Sequence, residues 1–88
     1  MRLEQLKYLV ATAKAGSISA AAQRLNVSRQ AVSSALGSLE AELGFSLFSK
    51  GSRGVEPTLE GRRAIEKVEE ALELLRELHA EAGVPGEG

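Results

Sequence analysis

The sequence predicts a mainly α-helical chain in which three short helices and a small two-stranded hairpin precede one long terminal helix. Three observations carry that expectation. Ser17 and Ser28 each stand just before an apolar-periodic stretch, and serine caps helices because its hydroxyl accepts a hydrogen bond from a backbone N–H otherwise unpaired in the first turn. Lys50 to Gly54 is a basic, glycine-bounded run between the apolar Phe45, Leu47 and Phe48 and a short return at Val55 and Glu56, which marks a tight turn joining two strands. Ile65, Val68, Leu72 and Leu75 then follow a three-and-four spacing that only a helix brings to one side.

The first helix is expected from about Leu3 to Ala15, with Leu3, Leu6, Val10 and Ala13 on one stripe, Leu9 beside it, and Gly16 ending it. Tyr8 is read as packing in the core or at its edge. The second helix opens at Ser17 and turns at Asn26 and Val27. Ala22 lies one turn before Asn26, a residue that tolerates the left-handed conformation of a sharp exit.

The third helix opens at Ser28. Its Val32, Leu36, Leu39 and Leu43 face a core, and Arg29, Gln30, Ser33, Ser34 and Gly37 fall on the other side. A small residue that lets two helices cross, followed by apolar anchors that pin the second across the first, is the helix-turn-helix arrangement; with the hairpin it becomes a winged helix-turn-helix.

The outer face of the third helix is polar but nearly uncharged. A merely solvated face more often carries Lys and Glu, which suit both water and helix formation. Arg and Gln near a helix N-terminus instead make paired bonds to base edges, and Ser reaches bases or phosphates. Arg53, at the tip of the hairpin, is placed to enter an adjacent minor groove, and Lys50 to meet a phosphate. Duplex DNA is therefore the expected partner.

The overall charge of −1 conceals a segregation. Seven basic residues against four acidic ones give +3 from Met1 to Thr58, and four against eight give −4 from Leu59 onward. A chain of 88 residues is one domain whose core is marginal unless more surface is buried. With no cysteine there is no disulfide framework and no thiolate metal site. No cysteine, no aspartate and a single histidine also leave no triad or usual metal cluster, so neither an enzyme nor a cofactor is expected. No apolar run approaches the roughly 20 residues of a spanning helix, and a cytoplasmic protein without membrane contact is expected.

Pro57 and Thr58 restart the chain as a helix, with Thr58 as cap and Glu60 in the first turn, running to about Ala82. Ile65, Val68, Leu72, Leu75 and His79 form one stripe, and Ala64, Ala71 and Leu78 a second alongside. One stripe can dock on the head while the other needs a partner. We assign Ile65, Val68, Leu72, Leu75 and His79 to a homodimer interface; the competing arrangement folds the helix back on its own head. The chain thus divides into a head over 1–58, a linker and dimerisation helix over 59–82, and a flexible tail, GVPGEG, over 83–88.

The stretch LEQLKYLVATAKAGSISAAAQRLNVSRQAVSSALGSLEAELGFSLFSKGSRGVEPTLEGRRAI resembles the N-terminal DNA-binding domain of LysR-type transcriptional regulators. Its most specific parts are SISAAAQRLNVS, VSSALGSLEAELG, the Leu47–Phe48 pair and the TLEG opening of the last helix. The resemblance implies a long helix that pairs antiparallel with its copy in a two-fold dimer on a palindromic operator. It also implies major-groove contacts by Arg29, Gln30, Ser33 and Ser34 and a minor-groove contact by Arg53. Members often carry a basic residue where this chain has Ser34, and usually Arg where it has Lys50. They continue into an effector domain where this chain stops, so no small-molecule inducer site is expected within it. Two other readings compete: a dimerisation module that pairs with a full-length relative without useful DNA affinity, and the head of a molybdate-type regulator, whose winged helix carries a similar GSISAAA run.

Overall fold

The computed structural model describes residues 1–82, so the expected tail over 83–88 lies outside the described residues. The elements run α1 (Leu3–Ala15), α2 (Ile18–Leu25), α3 (Arg29–Leu43), β1 (Phe48–Gly51), β2 (Gly54–Pro57) and α4 (Leu59–Glu81). Each of the three internal helices begins on the hydroxyl that the sequence placed there. Ser17 Oγ accepts from the Ala20 amide and Ser28 Oγ from the Ala31 amide, both at 3.0 Å, and Thr58 Oγ1 accepts from the Gly61 amide at 2.9 Å.

The exit from α2 is a left-handed Asn26 at φ 60° and ψ 45°. Its amide donates to the Gln23 carbonyl at 3.2 Å, and the Val27 amide donates to the Ala22 carbonyl at 3.0 Å. This double closure satisfies two carbonyls at the helix end and turns the chain sharply into α3. At α1 and α3 the closure is a single bond, from the amides of left-handed Gly16 and Gly44 to the Thr12 and Glu40 carbonyls.

The core lies where α1, α2, α3 and the start of α4 meet. Leu9, Ala22, Val32, Leu36, Leu39, Leu47 and Ile65 are buried there, with Tyr8 half-buried at the edge. Each wholly buried leucine contributes about 1.5–3 kcal/mol by leaving water. Within α1 the expected face faces inward at Leu6, Leu9, Val10 and Ala13 but not at Leu3. Leu9 is 1% exposed, whereas Leu3 is 47% exposed on an open groove between α1 and α4. Thr12, unremarked in the sequence, is wholly buried, its hydroxyl donating to the Tyr8 carbonyl at 2.8 Å. A buried hydroxyl is tolerated where the preceding turn of its own helix accepts from it.

The hairpin pairs β1 and β2 antiparallel, Phe48 opposite Pro57 and Gly51 opposite Gly54. Lys50 therefore lies within a strand, opposite Val55, and the turn is confined to Ser52 and Arg53. The apolar alternation at Phe45 to Phe48 precedes the strand rather than forming it. Its central residue, Leu47, is wholly buried, and its backbone ties three elements together. The Leu47 amide donates to Glu40 Oε2 at 2.8 Å, and its carbonyl accepts from the Thr58 amide at 3.0 Å. The Thr58 hydroxyl also donates to the Ser46 carbonyl at 2.6 Å.

Helix α4 packs on the head as far as Leu72 and has no buried residue after it. At 1.5 Å per residue its 23 residues span roughly 35 Å, in a fold whose longest dimension is 44 Å. The face assigned from sequence to a partner is divided. Ile65 and Leu72 are only 8% and 9% exposed because they pack within their own chain, and Val68 packs partly against the same core. Leu75 and His79 remain exposed, as do Leu74 and Leu78. Spacing marks an apolar face but does not say which surface covers it.

Gly61 is buried in the first turn of α4, where a methyl group would overlap the Leu47 carbonyl oxygen. Gly61→Ala is expected to lower stability by about 1–3 kcal/mol, the usual effect of forcing an extra carbon into a packed site. Urea unfolding measures it, and an unchanged midpoint would show that α4 is not seated on Leu47.

Candidate nucleic-acid interface

The outer face of α3 is set by its inner one. Val32, Leu36 and Leu39 are buried, so Arg29, Gln30, Ser33, Ser34 and Gly37 are turned to solvent, and all five are exposed. Arg29, Gln30, Ser33 and Ser34 share one open concavity with Ile18, from the first turn of α2. Sequence reading had not chosen Ile18. It is half-buried against the core while its outer side completes this surface, and no local pattern distinguishes that double duty.

The concavity is chemically narrow. It offers a guanidinium, a carboxamide and two hydroxyls, with no acid among its lining residues. Such groups can donate to and accept from base edges without first breaking a salt bridge. Arg29 has no ion-pair partner among the described residues.

The wing is held against the helix-turn-helix by its backbone. The Val55 amide donates to the Gly16 carbonyl at 3.0 Å, which fastens β2 to the junction between α1 and α2. Gly54 makes this possible, because a side chain there would strike the same carbonyl. Arg53 and Lys50 are exposed, Arg53 in the two-residue turn and Lys50 on β1. They are not part of the α3 concavity; they belong to a separate hairpin that is fixed, next to its turn, to the junction between α1 and α2.

On the other flank of α3, Ser34 also lines a shallow groove with Arg2, Gln5, Tyr8 and Ser38. The Tyr8 hydroxyl donates to Glu4 Oε2 at 3.1 Å. Partial burial, then the adjacent Glu4 carboxylate, hold the phenol above its ordinary value, so it remains a neutral donor. The Gln5 side chain accepts from the Arg2 amide at 2.9 Å, which closes the N-terminus of α1 from one side.

Residues 3–62 match the sequence family described as bacterial regulatory helix-turn-helix protein, lysR family. The chain belongs to the LysR family. Among its relatives, the HTH-type transcriptional regulator TcbR of Pseudomonas sp. (strain P51) is 42% identical over 74 residues, covering 84% of this chain and 25% of that protein. The probable HTH-type transcriptional regulator LrrA of Synechococcus elongatus is 39% identical over 90 residues, covering 98% of this chain and 31% of that protein. These relatives are transcriptional regulators rather than enzymes, and the chain spans only that quarter to third of their length.

Solved LysR-type structures agree. The crystal structure of the CbnR DNA-binding domain with DNA superposes with a TM-score of 0.89 at 37% identity, covering 96% of this chain and 97% of that one. The BenM DNA-binding domain in complex with benA site 1 DNA gives 0.89 at 30% identity, covering 94% and 96%. The winged helix-turn-helix with a long C-terminal helix is thus the fold of LysR-type DNA-binding domains. Among the described residues no helix is long and apolar enough to cross a membrane.

Gly54→Ala is expected to lift the wing at a local cost of about 1–3 kcal/mol. Hydrogen exchange at the Val55 amide reports it as lost protection, and retained protection would show that the Gly16 carbonyl is not the anchor.

Proposed function

We propose that this chain binds double-stranded DNA sequence-specifically as a homodimer, as the DNA-reading part of a LysR-type regulator acting in the cytoplasm. Helix α3 lies in the major groove, Arg29, Gln30, Ser33 and Ser34 meet base edges and phosphates, Arg53 enters the minor groove, and Lys50 meets a phosphate. The observation that carries this reading is the outward strip on α3: four hydrogen-bonding side chains gathered in one concavity with no acid among them. Two LysR-type relatives of the same fold have been crystallised on DNA, which supports the transfer.

Dimerisation follows from what α4 leaves uncovered. Leu74, Leu75 and Leu78 are 62%, 47% and 61% exposed. With Ala71 they form a stripe about a quarter-turn around α4 from the one that docks on the head. Exposed leucines in such a row need a second apolar surface, and an antiparallel α4 of a second copy supplies the same row in return. Leu75 and His79 then border the contact, while Ile65, Val68 and Leu72 support it from beneath. A two-fold dimer of this kind reads a palindromic operator.

Binding to duplexes selected from a random pool, measured against salt, tests the DNA reading. Log affinity is expected to fall steeply with log salt, at about 0.9 per neutralised phosphate. Gln30→Ala is expected to narrow discrimination between selected and scrambled duplexes by about 1–3 kcal/mol. Arg53→Ala is expected to weaken binding, most for duplexes with a narrow minor groove. A flat salt dependence in a protein that still dimerises would leave the association module for a full-length relative.

For the dimer, Leu78→Asp is expected to sediment as a monomer at concentrations where the parent is dimeric, with its melting temperature little changed. Leu72→Asp instead places a charge in the chain's own core and is expected to cost on the order of 3 kcal/mol. An unaltered dimer in the Leu78 variant would place the interface on another surface.

A further inference from the structure

Ser34 stands on the boundary of two surfaces. On one flank it joins Arg29, Gln30, Ser33 and Ile18; on the other it joins the groove between α3 and the N-terminus of α1, with Arg2, Glu4, Gln5, Tyr8 and Ser38. A helix with its side chains is about 10–12 Å across and the major groove about 12 Å wide, so whatever lies alongside an inserted helix meets the phosphate walls of that groove. Across the boundary from α2, the flanking element is the start of α1.

Arg2 is the cation of that groove, and the fold gives it no other employment. It is exposed and has no ion-pair partner among the described residues. The neighbouring α-amine is already taken, 2.9 Å from Glu42 Oε1. Arg2 also occupies the N-cap of α1, where the helix dipole favours an acid and disfavours a cation. Its guanidinium has donors only, so it cannot accept from the free amides of that helix end. The acid in the same groove, Glu4, is engaged by the Tyr8 hydroxyl. A charge that costs the helix something and pairs with nothing in the chain is suited to an anion from outside.

We infer that Arg2 is a phosphate-positioning residue, whose guanidinium holds the DNA backbone beside Ser34 and so supplies from α1 the cation that α3 lacks there. The inference rests on the DNA-binding reading above. An arginine used in this way fixes the angle of α3 in the groove without reading sequence, because phosphates are the same at every step.

The test compares the parent with Arg2→Ala and Arg2→Lys on one selected duplex and one scrambled duplex of equal length, across a series of salt concentrations. Arg2→Ala is expected to flatten the slope of log affinity against log salt by about one and to weaken both duplexes by the same factor. Arg2→Lys is expected to restore the slope, and Arg2→Ala to melt no lower than the parent, because the cation it removes is unfavourable at that helix end. An unchanged slope for Arg2→Ala, where the parent slope is steep, overturns the Arg2 assignment and leaves the DNA reading standing; so does a loss confined to the selected duplex. A parent with no slope overturns both together.

Discussion

The buried backbone of Leu47 constrains everything around it. Its amide is held by the Glu40 carboxylate near the end of α3, its carbonyl by the Thr58 amide at the start of α4, and Gly61 presses against that same carbonyl. A loop buried at such a point must have its polar groups answered, since a lone buried amide or carbonyl costs about as much as a lost hydrogen bond. Here both are answered by groups from different elements, so the end of α3, the entry to the wing and the origin of α4 cannot shift independently. One residue's two hydrogen bonds thus join the end of α3 to the start of α4.

Helix boundaries were legible in the residues because capping is local. Ser17, Ser28 and Thr58 each bond to an amide three positions on, and Asn26 turns the chain with its own backbone. What lay beyond sequence reading is tertiary. Glu40 bears no mark of reaching Leu47, Thr12 reads as a surface threonine, and Gly54 reads as a turn residue when it also lies against Gly16 and Ser17 at the α1–α2 junction. The division of α4 was hidden for the same reason. Ile65, Leu72 and Leu75 share one spacing, but the head is only tall enough to cover the first two.

The candidate interface was more legible than its surroundings. Arg29, Gln30, Ser33 and Ser34 stood out by lacking the lysines and glutamates of an ordinary solvated face, and their exposure follows from the burial of Val32, Leu36 and Leu39. Ile18 and Arg2 escaped notice because they flank α3 from other helices. The segregated charge also fits this geometry. Among the described residues the acids of the C-terminal half are carried by α4, and none of them lines the strip on α3.

From Glu73 to Ala82 every residue of α4 is exposed, so in a solitary chain this segment is held helical by its own backbone, one surface ion pair between Arg76 and Glu73, and the open groove that Leu75 and His79 share with Leu3 and Lys7 of α1. Ten residues are too few for lasting helicity in water. Dilution would therefore shorten the rod before it melted the head. In the proposed dimer, two heads would keep a set distance from one another only while a neighbour stiffened that end, making the ruler between half-sites a property of abundance as much as of covalent structure.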